Sequence, residues 1–160
     1  MHEEKICIFV LEDSLTDLAR VKIHIDSLGL GMVTTDTIEE IHLAKGCSVA
    51  ILDLMVVGSS GCDTVATFRQ MWPLMPIVVH TVSDQPCQCS PEGADFFVSK
   101  NSGPKELVMA LIKAVDTRRA ILATHASELS KTELIDEIDL QLAHCSEELK
   151  VVAEAAEELC

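Results

Sequence analysis

Apolar residues fall into two rhythms along this chain. Unbroken runs occupy Lys5–Leu11 (K-I-C-I-F-V-L), Val49–Leu52 (V-A-I-L) and Pro76–Val82 (P-I-V-V-H-T-V). Short runs of this kind mark strands buried on both faces. Ala94–Ser99, with Phe96 and Phe97, predicts another strand, and Gly31–Asp36 a weaker one. Between the runs, apolar residues recur at helical spacing. Leu18, Val21, Ile25 and Leu28 follow a capping Ser14 and stop at Gly29. Thr37 and Glu40 form a capping-box pattern opening a helix with Ile38, Ile41 and Ala44, closed by Gly46. Gly61–Trp72 predicts a third helix, with Val65, Phe68 and Met71 inward and Pro73 beyond its end. Pro104 suits a first helical position. The helix it opens carries Leu107, Leu111, Ala114 or Val115, and Ile121 or Leu122, longer than such a domain needs.

Alternating strands and helices with short links predict an α/β fold, a doubly wound parallel sheet covered on both faces. Right-handed crossovers then bring every strand's carboxyl end to one rim, where open α/β sheets bind ligands. Those ends carry Glu12-Asp13, Asp53, Thr81 and Lys100. Asp53 by itself would pass for a turn residue before Gly58 and Gly61; the matching chemistry at the other ends changes that. Crowded carboxylates repel, and a divalent cation relieves them. Magnesium suits hard oxygen ligands beside a phosphate. A hydroxyl and an ammonium facing the same point suit phosphoryl transfer, with a carboxylate as the nucleophile.

Composition narrows the function. The chain has 160 residues, 48% of them apolar, which suits one domain with an appendage. One Trp, four Phe and no Tyr make the core aliphatic. A formal charge of −14 argues against a nucleic-acid backbone binder. No run reaches membrane-spanning length, and Ile6–Leu11 is too short for a signal peptide. Seven cysteines without a zinc spacing fit free thiols in a reducing cytosol, so the expected location is cytoplasmic.

The ordered motifs E-D (Glu12, Asp13), I-L-D-L-M-V-V-G-S-S-G (Asp53), H-T-V (Thr81) and G-A-D-F-F-V-S-K (Lys100) resemble a response-regulator receiver domain of two-component signalling, over about residues 5–115. The resemblance implies a five-stranded flavodoxin-like sheet of order 2-1-3-4-5. It implies that Glu12, Asp13, Asp53 and the backbone carbonyl of Met55 hold Mg2+. Asp53 would take phosphate from a sensor histidine kinase or phosphotransfer protein. Thr81 and Lys100 would read out the charge, and Phe97 would stand where the family places a mobile aromatic. Such a domain is no enzyme beyond Mg2+-dependent self-phosphorylation and autodephosphorylation.

The chain departs from the family pattern in places. Val57 replaces a frequent proline. Asn101 follows Lys100 where the family has a cis proline; a cis bond here would cost about 3–4 kcal/mol, so a trans bond and an altered aim for Lys100 are expected. The link Val82–Gly93 is roughly one turn short of the family's fourth helix. Pro86 and Pro91 predict a loop or a single turn there, hence a shortened or missing fourth helix. Cys87, Cys89 and His80 read as loop thiols and a strand histidine, for want of a fourth metal ligand.

Residues 1–118 are therefore expected to form the receiver domain and 119–160 a helical extension. Ser130 and Glu133 offer a further capping box. Ile135, Ile138, Leu142, Cys145, Leu149, Val152, Ala156 and Leu159 then make a heptad seam. It can close a helical hairpin in its own chain or pair as a homodimer through 130–160; dimerisation or partner docking is the expectation. His125 and His144 lack the acid of a phosphotransfer histidine pair and read as surface residues.

Three function classes compete. The leading one is a phosphorylation-controlled signalling protein acting through protein contacts. The second is a phosphorylation-independent interaction or dimerisation module on the same fold. The third, an enzyme, fits poorly. A dehalogenase-type phosphatase needs an acid where Met55 stands. A dinucleotide enzyme needs G-x-G-x-x-G, and a flavodoxin a phosphate-cradling loop, where Glu12-Asp13-Ser14 stands.

Overall fold

Side chains alternate across a strand, so a run apolar at every position must be covered on both sides. Strand β1 (Cys7–Leu11) shows this: Phe9 and Leu11 enter one core cluster, Ile8 and Val10 the other. The structure, a computed structural model, describes residues 5–58, 61–82, 93–128 and 131. The chain divides into two compact units, 1–120 and 121–160. In the first, β1 is joined by β2 (Gly31–Thr35), β3 (Val49–Leu52), β4 (Ile77–Thr81) and β5 (Phe96–Ser99). All pairs are parallel, in the order β2-β1-β3-β4-β5, as expected.

Helix α1 (Leu15–Ser27) and a helix over 104–120, α3, cover one face. There Val21, Ile25, Leu107 and Leu111 bury against Ile8, Val10, Val49 and Ile51. A 3-10 segment, Ile38–Ala44, and helix α2 (Gly61–Met71) cover the other. Phe68 of α2 stacks on Phe9 with ring centroids 5.6 Å apart. Each fully buried side chain of this size stabilises the fold by roughly 1.5–3 kcal/mol. The second unit is helical over 121–128. Among the described residues, no helix is long and apolar enough to cross a membrane.

Local signals set most boundaries. Ser14 Oγ accepts the Asp17 N–H and starts α1. Gly29, at φ 70°, takes the left-handed turn that ends it, and Leu30 N–H returns to the Ile25 carbonyl. Arg69 of α2 donates to the carbonyls of Pro73, Met75 and Gly93 and pairs with Asp95 at 2.8 Å. Asp95 Oδ2 also accepts the Ile77 N–H, so one ion pair locks the starts of β4 and β5 to α2.

Two local expectations fail. The capping box at Thr37 does not close. Glu40 accepts from the Thr35 hydroxyl at 2.7 Å, and the Thr37 N–H goes to Thr35 Oγ1 instead. With Glu40 drawn to the end of β2, its backbone kinks (φ −99°, ψ 16°) and the segment is 3-10 rather than α. Met71, predicted inward, is 48% exposed. Trp72 packs against the core in its place and donates its indole N–H to the Ile41 carbonyl. The expected loop at 83–92, with Pro86, Pro91, Cys87 and Cys89, and the seam beyond Ser130 with His144, lie outside the described residues. Cys7 and Cys47 are free thiols 3.6 Å apart, and burial pushes the Cys47 thiol up to about 12.

Candidate functional site

The sheet ladder continues one bond past several strands and so fixes the residues beyond them. The Glu12 N–H donates to the Thr35 carbonyl at 3.0 Å and the Asp53 N–H to the Leu11 carbonyl at 2.9 Å. The Lys100 N–H donates to the Thr81 carbonyl at 2.7 Å. Side chains with chemistry are thus presented by backbone that is hydrogen-bonded to the neighbouring strand. Beyond β3 the chain turns away at Gly58, whose φ of 85° favours glycine.

Glu12, Asp13 and Asp53 bring one carboxylate oxygen each within 4.8 Å of one another. Glu12 and Asp53 are buried. Lys100 reaches in from the end of β5, its ammonium 2.6 Å from Glu12 Oε2, 2.8 Å from Asp53 Oδ2 and 3.0 Å from Asp17 Oδ2. An ammonium has three protons, and each meets a carboxylate. The second oxygens are held by backbone: Glu12 Oε1 accepts the Ser14 N–H and Asp53 Oδ1 the Met55 N–H, both at 3.0 Å. Asp13 Oδ2 accepts the Val57 N–H at 3.3 Å.

These contacts move the protonation equilibria. Burial raises the Glu12 carboxyl above its ordinary value, opposed by the Lys100 and Ser14 hydrogen bonds. Burial alone would push Lys100 down, but hydrogen bonds to Asp53, Glu12 and Asp17 outweigh it and hold the ammonium above its ordinary value. The Lys100 hydrogen bond holds Asp17 below the usual carboxylate range. Four carboxylates around one ammonium leave the rim strongly negative. Hard oxygen donors in a net negative, partly buried cluster suit a magnesium-like cation.

Glu12, Asp13, Asp53 and Lys100 are therefore brought together. Thr81 is buried at the end of β4. The β3–β4 register sets Leu52 against Val79, which puts Asp53 level with His80 and Thr81 one residue beyond. Phe97 pairs with Val79 across β4–β5 and is half-buried against the α2-side core. Met55 faces Asp53 with its N–H, and its side chain is exposed. Among the described residues there is no cis peptide bond, so Lys100–Asn101 is trans, and Lys100 still reaches Asp53. The expected change of aim does not follow. Asn101 donates its side-chain amide to the Val82 carbonyl at 3.0 Å and so ties the ends of β5 and β4 together.

One neighbour escaped the sequence analysis, and a second, His80, appeared there only as a strand histidine. Asp17 looked like an ordinary first-turn acid of α1. His80 half-borders a cavity of about 350 Å³, also lined by Asp17, Arg20, His24, Ser99 and Lys100. Its buried Nδ1 has no hydrogen-bond partner among the described residues. Burial, then the charge of Lys100, pushes His80 down to about 4. Asp53 and Asp17 oppose that shift, and His24 adds to it. The unfolded chain protonates this histidine near 6.5, and the folded chain refuses the proton until about 4. Stability is thus expected to fall as pH drops through that window, by about 2 kcal/mol given residual contact with solvent. Glu12, raised by burial, works in the opposite sense in the acid range, but equally in a His80→Leu variant. Urea unfolding at pH 7.5 and pH 5 should show a smaller acid loss in the variant; equal losses would exclude His80 as the cause.

No family model matches the sequence. Solved structures do match. A response regulator receiver domain protein from Clostridium thermocellum is 21% identical, with a TM-score of 0.65 over 72% of this chain and 98% of that one. Response regulator protein TrrA from Thermotoga maritima, solved in complex with Mg2+-BeF, is 22% identical, with a TM-score of 0.62 over 68% of this chain and 98% of that one. A fusion carrying the trimeric coiled coil of yeast Spc42 is 20% identical, with a TM-score of 0.66 over 86% of this chain and 96% of that one. The fold is the flavodoxin-like fold of receiver domains.

Proposed function

We propose that this chain is a phosphorylation-controlled signalling protein whose acceptor is Asp53. One observation carries the reading: Asp53, at the end of the central strand, shares Lys100 with Glu12 and lies within 4.8 Å of both Glu12 and Asp13. In the reaction, an Asp53 oxygen forms a bond to phosphorus as the phosphorus–nitrogen bond of a partner's phosphohistidine breaks. The imidazole leaves with the bonding pair and takes up a proton. Glu12, Asp13 and Asp53, with the Met55 carbonyl, would hold a magnesium ion, which when bound neutralises charge on the phosphoryl oxygens. Lys100, already at Asp53 Oδ2, meets the new negative charge. Thr81 and Phe97 then report the change along β4 and β5.

The donors of phosphate are a histidine kinase or phosphotransfer protein, and the output is made through protein contacts in the cytoplasm. The strongly acidic chain suits neither a nucleic acid nor an anionic membrane as partner. The heptad seam in 130–160 supports a homodimer through the extension, with residues 1–118 as the receiver proper. Magnesium with beryllofluoride, a phosphoryl mimic, should stabilise the full chain. At a hundredfold excess over the dissociation constant the gain is about 2.7 kcal/mol, a rise of several degrees in thermal midpoint. An unchanged midpoint, with unchanged mass in solution, would leave only the interaction module.

A further inference from the structure

We propose, building on the phosphoryl-acceptor reading of this site, that Asp17 is a positioning residue that draws the Lys100 ammonium away from the metal-facing carboxylates and so lowers the cation concentration the site requires. Lys100 has three acceptors. Glu12 and Asp53 also belong to the acidic cluster, and Asp17 does not. A cation entering that cluster competes with the ammonium for two of its three partners. Asp17 is the partner it can keep.

The placement of Asp17 suits this role. It sits in the first turn of α1, where the helix dipole favours a carboxylate. Ser14 Oγ accepts its N–H, and the same Ser14 donates its N–H to Glu12, so one cap spaces the two acids. Its oxygens are divided: Oδ2 takes Lys100, and Oδ1 lies 3.5 Å from the exposed Arg20. Asp17 and Lys100 both line the 350 Å³ cavity, whereas Glu12, Asp13 and Asp53 do not. The cavity therefore adjoins the lysine on its Asp17 side, away from the acidic cluster. Without Asp17, the ammonium's remaining partners are both in the cluster, where it opposes the cation.

Calorimetric titration of the full chain with MgCl2 tests this. Asp17→Asn keeps the shape and removes the charge. It should weaken magnesium binding about fivefold, the scale of one partly exposed charge pair. Asp17→Glu should stay within about twofold of the parent. In a Lys100→Met background the effect of Asp17→Asn should shrink to less than twofold, because Asp17 acts through the lysine. Unchanged or tighter binding by Asp17→Asn overturns the inference. So does an effect that persists in full without Lys100, which would make Asp17 only a distant charge. A parent chain that binds no magnesium at millimolar concentration overturns the acceptor reading itself, a different failure from the first two.

Discussion

Incubation with acetyl phosphate and magnesium is expected to place one phosphoryl group on this chain, and Asp53→Asn to abolish that labelling. The effect should be complete, because an amide oxygen is not a competent nucleophile for phosphorus. Asp53 is preferred over its acidic neighbours on geometry. It ends the strand between β1 and β4, and both its oxygens are held, one by the Met55 N–H and one by Lys100. Glu12 is pinned at both oxygens too, one by the Ser14 N–H and one by Lys100, but it follows β1 rather than the strand between β1 and β4. Asp13 is held only by the Val57 N–H at 3.3 Å among its described contacts. Asparagine can keep the Met55 bond, so the variant should unfold within a few degrees of the parent. Label retained in Asp53→Asn, or mapped to Asp13, would refute the assignment.

How much of this could be read from residues alone differs between fold and site. The sheet was legible because a strand covered on both faces is apolar at every position, and β1, β3 and β4 are nearly so. The rim residues followed, since parallel order places strand ends together. What failed was set by contacts across the chain. The Thr37–Glu40 motif is sound locally, but Thr35 at the end of β2 takes the glutamate first. Met71 has helical spacing, yet Trp72 reaches the Ile41 carbonyl and fills the place. Asp17 lies 83 positions from Lys100, and no periodicity announces such a pairing. Asn101 shows the converse: a departure from the family pattern, expected to redirect Lys100, is absorbed by a lysine stem long enough to reach Asp53 across a trans bond.

Replacing Lys100 by methionine should produce the largest loss of stability of any change at the rim. The substitution keeps most of the apolar stem and deletes the ammonium that faces Glu12, Asp17 and Asp53 together. Removing one partner of a buried pair leaves the other charge uncompensated and costs about 3–5 kcal/mol. Because Asp17 remains partly in water, a value near 3 kcal/mol is expected at pH 7 without divalent cations. The sign with pH is specific. Lys100 titrates above its ordinary 10.5 when folded, so its contribution is fully present below 10.5 and is lost only as pH rises through that higher value. The gap between parent and variant should therefore be constant near neutrality. On the acid side it should narrow, since Glu12, already raised, is raised further without its ammonium and takes up a proton that relieves the cluster. Magnesium should restore part of the lost stability, and more of it in the variant than in the parent, where the ammonium competes. Urea unfolding followed by Trp72 fluorescence, in EDTA and in MgCl2, measures each of these. A loss under about 1 kcal/mol that ignores both magnesium and acid would mean that Lys100 does not neutralise the rim, and the charge balance that the proposed phosphoryl transfer to Asp53 requires would have to be sought elsewhere.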